Sequence, residues 1–203
     1  MKRAAVLLDL GFVLRALYKD LGKQHPTAAD VRLFATECLE PDEELFRIYC
    51  YHCRPFGGTA THPLTKKQIN FSATNTYRLN TKLIEELSVM DNVAFRCGEL
   101  MFNGWIVPRE SAKDMASSGR PIEEADLRAD IQQKRVDMNI GLDVAWLSSK
   151  AIVDRLILVT NDSDFVPAMK FARREGVQVV IATLGKSAQR ELQIHADKIR
   201  TVR

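Results

Sequence analysis

The chain has 203 residues, 46% of them hydrophobic, enough for one sizeable core and too little for a comfortable second one. Its 29 basic and 26 acidic side chains leave a formal charge of +3, so bulk charge names no partner and any nucleic-acid contact must come from local patches. No uninterrupted apolar stretch approaches the roughly 20 residues that span a bilayer. The opening MKRAAVLLDLGFVLRAL is broken by Asp9 with no small-residue cleavage site behind it, so the expectation is a cytoplasmic protein away from the membrane.

In chain order, AAVLLDLGFVL is a nearly continuous apolar run, suited to a strand buried on both faces of a parallel sheet, with Asp9 at its carboxyl end. PTAADVRLFATECLE reads as a helix capped by Thr27 and closed by Pro41. ELFRIYCYHC reads as a second strand. Cys50 and Cys53 form a CxxC around His52, but a structural zinc site needs a second ligand pair and none is visible, so these cysteines and Cys38 and Cys97 are read as reduced thiols. The stretch from Arg54 to Thr76 is loop-like, and its Lys66 and Lys67, with Arg78 just beyond, make it a candidate substrate-facing segment.

YRLNTKLIEELSVM carries Leu79, Leu83, Ile84 and Leu87 at helical spacing. VAFRCGELMF and GWIVP read as two short strands turning at Asn103 and Gly104. The polar segment around 108–130 is expected to be a mobile connection with helix in its later half. Val136, Ile140, Val144 and Leu147 then mark a helix starting near Lys134 or Asp137. Strand DRLILVT, turn NDSD, helix FVPAMKFARREG, strand VQVVIATL, helix SAQRELQIHA and a last strand at IRTV complete the chain. Strands alternating with helices predict an α/β fold with a mainly parallel sheet, and the whole chain, 1–203, is read as one domain.

Asp9 and Asp162 both fall at the carboxyl ends of strands, where ligand sites collect in open α/β sheets. Asp164 follows in the turn. A lone aspartate there is commonly a cap or solvated surface. Clustered carboxylates repel one another, and a hard divalent cation relieves that repulsion. The helix KRVDMNIGLD adds Asp137 and Asp143, which lie about 120° apart around the axis and ~9 Å apart along it. Both cannot face one ion, so Asp137 is preferred as ligand and Asp143 as support.

The segments VLLDLGFVL, YCYHCRPFGG, KRVDMNIGLD, RLILVTNDSDFVPAMKFARREGVQVVIATL and LQIHADKIRTV occur in the order expected of NYN domains, and the chain resembles the LabA-like branch of the PIN-like nuclease superfamily. The most specific part is NDSDFVPAMKFARREG, similar to the family's GDSDF segment. The resemblance implies a PIN-like three-layer sandwich and a nuclease, with endoribonuclease the expected form. Asp9, Asp137, Asp162 and Asp164 would be the catalytic ligands of Mg²⁺ or Mn²⁺, and Thr160 would help hold the cluster. DLGF departs from the usual Asp-Gly-x-Asn, with Leu10 and Phe12 in place of glycine and asparagine. Asn161 replaces a glycine, a mild change because asparagine tolerates positive φ.

Lys134, Arg135, Lys170 and Arg174 are candidates to meet RNA phosphates. Phe56, Tyr77, Phe102 and Trp105 are candidates to stack on unpaired bases, with buried core the commoner use of such rings. The expected partner is single-stranded or structured RNA, with DNA and a homodimer left open. Two other readings compete. A non-catalytic NYN domain would bind RNA or a protein without cleavage. A haloacid-dehalogenase-like phosphatase would need an acid two positions after Asp9, where Gly11 stands.

Overall fold

The computed structural model describes residues 1–185 and 187–202. β1 (Lys2–Asp9), β2 (Glu43–Cys53), β5 (Val93–Ile106), β6 (Arg128–Lys134), β7 (Arg155–Val159), β8 (Gln178–Thr183) and β9 (Lys198–Thr201) form a seven-stranded sheet in the order β6-β5-β2-β1-β7-β8-β9. All neighbours are parallel except the antiparallel pair of β5 and β6. A separate small ribbon pairs β3 (Thr59–Thr61) with β4 (Gln68–Asn70) inside the stretch read from sequence as loop.

Helices cover both faces. On one side α1 (Leu10–Asp20), α2 (Ala28–Glu37) and α3 (Asn75–Ser88) bury Val13, Leu17, Phe34 and Leu87 against Val6, Leu8, Ile48 and Ile157. On the other, α5 (Val136–Ser149), α6 (Val166–Arg174) and α7 (Arg190–His195) bury Ile140, Leu147, Met169 and Leu192 against Leu7, Tyr49, Leu156 and Ile181. Each fully buried aliphatic contributes about 1.5–3 kcal/mol, so the two layers together hold the sheet. The three-layer α/β sandwich with a mainly parallel sheet is therefore as expected. Among the described residues no helix is long and apolar enough to cross a membrane.

Several local expectations need correction. The two short strands before residue 108 are one strand, β5, and the Asn103–Gly104 step is an irregularity in its pairing with β6, where Gly104 takes φ +102. The longer helix falls in the earlier half of the polar segment, as α4 (Arg109–Ser118) ending on left-handed Gly119, while the later half holds one 3-10 turn at Glu124–Asp126 and then supplies β6. The helix expected to start near Lys134 or Asp137 is borne out as α5, which starts at Val136, with QQK before it in β6. Cys50 and Cys53 lie three apart on β2 and therefore project to opposite faces, one in each core, so they cannot share an ion.

At the amino-terminal edge of the sheet, Glu43 of β2 is fully buried between Arg155 of β7 and Arg200 of β9. Arg200 donates to both its oxygens, at 2.8 and 2.6 Å. Burial opposes ionisation of Glu43, but the hydrogen bonds from Arg200 and Arg155 outweigh it and hold the carboxyl down to about 2. This ionic knot fastens the edge opposite the candidate site.

Candidate active site

Register brings the first two site residues together. Leu8 pairs with Val159, so Asp9 and Thr160, each one residue further on, leave adjacent parallel strands side by side. The chain departs from β1 toward β2 and from β7 toward β8, in opposite directions, which opens a crevice between them at the carboxyl rim.

Asp9 caps α1, accepting the Phe12 amide at 3.3 Å on Oδ1. The buried Thr160 hydroxyl donates to its Oδ2 in a long 3.5 Å hydrogen bond and accepts the Asp162 amide at 3.2 Å. Asp162 in turn caps the short 3-10 turn of Ser163–Phe165 by accepting the Asp164 amide at 2.9 Å. A chain of local bonds therefore links Asp9, Thr160, Asp162 and Asp164.

Asp137 arrives from the opposite direction, in the first turn of α5, after Arg135 has taken a left-handed backbone conformation at φ 71. That reversal turns the chain from β6 into a helix packed on α6 and the Ser163–Phe165 turn. Burial raises the Asp137 carboxyl above its ordinary range, and the charges of Asp162 and Asp164 add to the rise. Burial likewise raises Asp9, with Asp137 adding and the Phe12 amide opposing. Asp137 thus couples to each of the other three carboxylates, although among the described residues no three acidic, histidine or cysteine side chains form a ready metal cage. The donor set still suits Mg²⁺ or Mn²⁺, because such ions keep several waters and need only one or two carboxylates directly. Gly11 lies against the site: a Cβ there would stand 3.2 Å from Oδ1 of Asp9, a crowded contact, and 3.6 Å from the Gln133 amide.

The other expected residues divide. Asp143 lies away from the cluster, accepting the Tyr51 hydroxyl at 2.9 Å and the Arg96 guanidinium at 2.9 Å, and so ties α5 to β2 and β5. Asn161 is exposed, its carbonyl accepts the Gln189 amide at 2.8 Å, and its backbone does not take the positive φ that asparagine would tolerate. Lys134 is exposed at the end of β6, three residues before Asp137. Arg135 is engaged by Glu99 of β5. Lys170, midway along α6, and Arg174, its last residue, line a hollow with Gln178 at the start of β8. A helix carries its last residues away from its first by 1.5 Å each, and Arg174 ends the helix that the Asp162 turn begins.

Two neighbours escaped the sequence. Arg15 of α1 lowers the Asp9 carboxyl by its charge; its place a turn into the helix that Asp9 caps was a legible signal. Gln133 reaches Gly11 only because β6 runs antiparallel beside β5, which no local pattern discloses.

A parallel α/β sandwich with carboxylates gathered at its switch-point rim is the architecture of PIN-like nuclease domains. The NYN domain family model matches residues 101–202, half of the chain, and the chain belongs to that family, a branch of the PIN-like nuclease superfamily. The match takes in Asp137, Asp162 and Asp164, while Asp9 lies before it. The chain is also similar to the crystal structure of a protein of unknown function from Vibrio parahaemolyticus, with 16% identity, a TM-score of 0.52 and coverage of 100% of this chain and 93% of that one. At that identity the likeness concerns the fold. No curated protein matches.

Proposed function

We propose that the protein is a divalent-metal-dependent ribonuclease that hydrolyses phosphodiester bonds of single-stranded or structured RNA, of the LabA-like branch of its family. The observation that carries this reading is the linkage of Asp9 to Asp162 through Thr160, with Asp137 electrostatically coupled to both ends of the cluster. Asp9, Asp137, Asp162 and Asp164 would hold Mg²⁺ or Mn²⁺, which when bound supplies a more acidic attached water and neutralises charge on the phosphodiester. The chain's own part is positional. The Phe12 amide and Thr160 hydroxyl fix the Asp9 carboxylate, the Asp164 amide fixes Asp162, and Gly11 keeps the approach to Asp9 clear. Lys134, exposed at the end of β6 three residues before Asp137, would steady a phosphate.

One observation favours the non-catalytic alternative, in which the domain binds RNA or a protein. Phe12, where the family places asparagine, packs against the core and offers the site no side-chain amide. The phosphatase reading gains nothing, since position 11 is a glycine that holds no acid.

The test is to incubate purified protein with defined single-stranded and structured RNAs in Mg²⁺ or Mn²⁺, alongside Asp162→Asn, and to map product ends. Cleavage by the parent and at least a hundredfold loss in the folded variant are expected. RNA binding without cleavage under every divalent ion would select the binding-only reading.

A further inference from the structure

Beyond the carboxylate rim, where β5 and β6 run past the end of β2, a cavity of about 400 Å³ is lined by His52, Phe56, Phe71, Tyr77, Asn80 and Ile131, among others. The volume falls within the range of small-ligand sites. Its walls are mostly aromatic and aliphatic, with a few polar groups. Phe56 stacks on Phe102 with centroids 5.7 Å apart and meets Phe71 edge-on at 5.3 Å, so its ring is held in place from behind.

One polar group here lacks a partner. Nδ1 of His52 is buried and has no hydrogen bond among the described residues. Burial lowers the His52 ring to about 4, so near pH 7 it is a neutral imidazole. A buried nitrogen left unpaired is destabilising, and a ligand that supplies a donor or acceptor removes that cost.

The cavity adjoins the acidic site along β6. Ile131 lines it, and Gln133, two residues on and therefore on the same strand face, reaches Gly11 beside Asp9. Exposed Arg54 and Arg78 lie in the hollows on either flank, sharing Phe56 and Tyr77 with the cavity. An aromatic slot with a neutral hydrogen-bonding edge, basic flanks and a short path to a phosphodiester-cleaving rim matches one ligand chemistry.

We infer that this cavity is a subsite for an unpaired nucleobase of the substrate strand, stacked on Phe56 or Tyr77 and hydrogen bonded by His52 and Asn80. The inference rests on the nuclease reading for its substrate but not for its test. A base inside a duplex cannot enter the slot, so the subsite would select single-stranded or looped RNA.

The experiment measures equilibrium binding of a fluorescein-labelled single-stranded hexaribonucleotide, and of a duplex of the same sequence, in EDTA, where no cleavage occurs. Phe56→Ala, Asn80→Leu and His52→Phe are compared with the parent, with thermal melts reporting the fold. Loss of one stacked base predicts about tenfold weaker single-strand binding in Phe56→Ala, with duplex binding unchanged. Asn80 is half-buried in the middle of α3, where its amide donates to the Thr76 carbonyl at 3.0 Å and its carbonyl oxygen is left for a ligand; Asn80→Leu keeps the test alive should Phe56→Ala unfold, and it is expected to weaken binding severalfold. Single-strand affinity equal to the parent in every folded variant, or equal losses for strand and duplex, overturns the subsite. Asp162→Asn separates the two proposals: if it still cleaves, the assigned metal site fails while the binding result for the cavity stands.

Discussion

Asp9 and Thr160 are 151 residues apart in the chain, yet the threonine hydroxyl donates to the aspartate at 3.5 Å while accepting the Asp162 amide at 3.2 Å. The pair sits at the junction of β1 and β7, and it converts two separate strand ends into one site.

Thr160→Val keeps the shape and removes the hydroxyl, leaving the Asp162 amide without that acceptor. The expected cost is about 1–3 kcal/mol of stability, read from urea melts. Metal-dependent cleavage should fall further than the folded fraction does. Activity equal to the parent would show that Asp9 and Asp162 need no such bridge.

Asp9 and Asp137 are both raised, burial being the first cause in each. A carboxyl with a raised folded pKa favours the protonated form, so folding gains from it at low pH and that gain is lost as pH rises through the folded value. The charged form that a cation needs therefore develops only at pH above the ordinary aspartate range. Carboxyl carbon NMR titration of the metal-free protein should show Asp137 titrating high, and Asp162→Asn should lower it by removing a repelling neighbour. No movement would mean the two carboxylates are not coupled.

Glu43→Gln strips the counter-charge from buried Arg155 and Arg200, which predicts a loss of about 3–5 kcal/mol. The sign with pH is the reverse of that for Asp9. Glu43 is held down to about 2 against an ordinary 4.5, so its contribution is complete above about 4.5 and disappears as pH falls toward 2. Acid denaturation profiles of parent and variant should converge in that window. Parallel profiles across it would remove Glu43 as the acid-sensitive group.

Gly98→Ala would set a Cβ 2.6 Å from the Lys134 carbonyl oxygen and 2.8 Å from both Cys53 Sγ and Val136 Cγ2. Backbone must move, at a cost of about 1–3 kcal/mol, and what moves is the β6 to α5 junction that aims Asp137. Lower cleavage per folded molecule is expected, measured beside a melting curve; a variant that loses stability alone would uncouple that junction from the site.

Much of this was legible from the chain itself. The aliphatic runs ending in Asp9 and Asp162 announced buried parallel strands with polar carboxyl ends, because a strand covered on both faces admits few polar residues until it leaves the sheet. Thr27 announced α2 through its capping pattern, realised as a reciprocal box with Asp30. The segment 93–134 was misread because a bulge at Gly104 mimics a turn and an exposed edge strand has too little apolar alternation to declare itself.

What the sequence determined by itself was the kind of fold and the identity of the acidic residues, since burial periodicity and side-chain type are local properties of the chain. Tertiary structure alone decided which charges share a space. Strand register put Thr160 beside Asp9, helix direction carried Arg174 to the far end of α6, and antiparallel pairing delivered Gln133 to Gly11 beside Asp9. Those outcomes depend on distances between residues far apart in the chain, which are fixed only when the sheet is assembled.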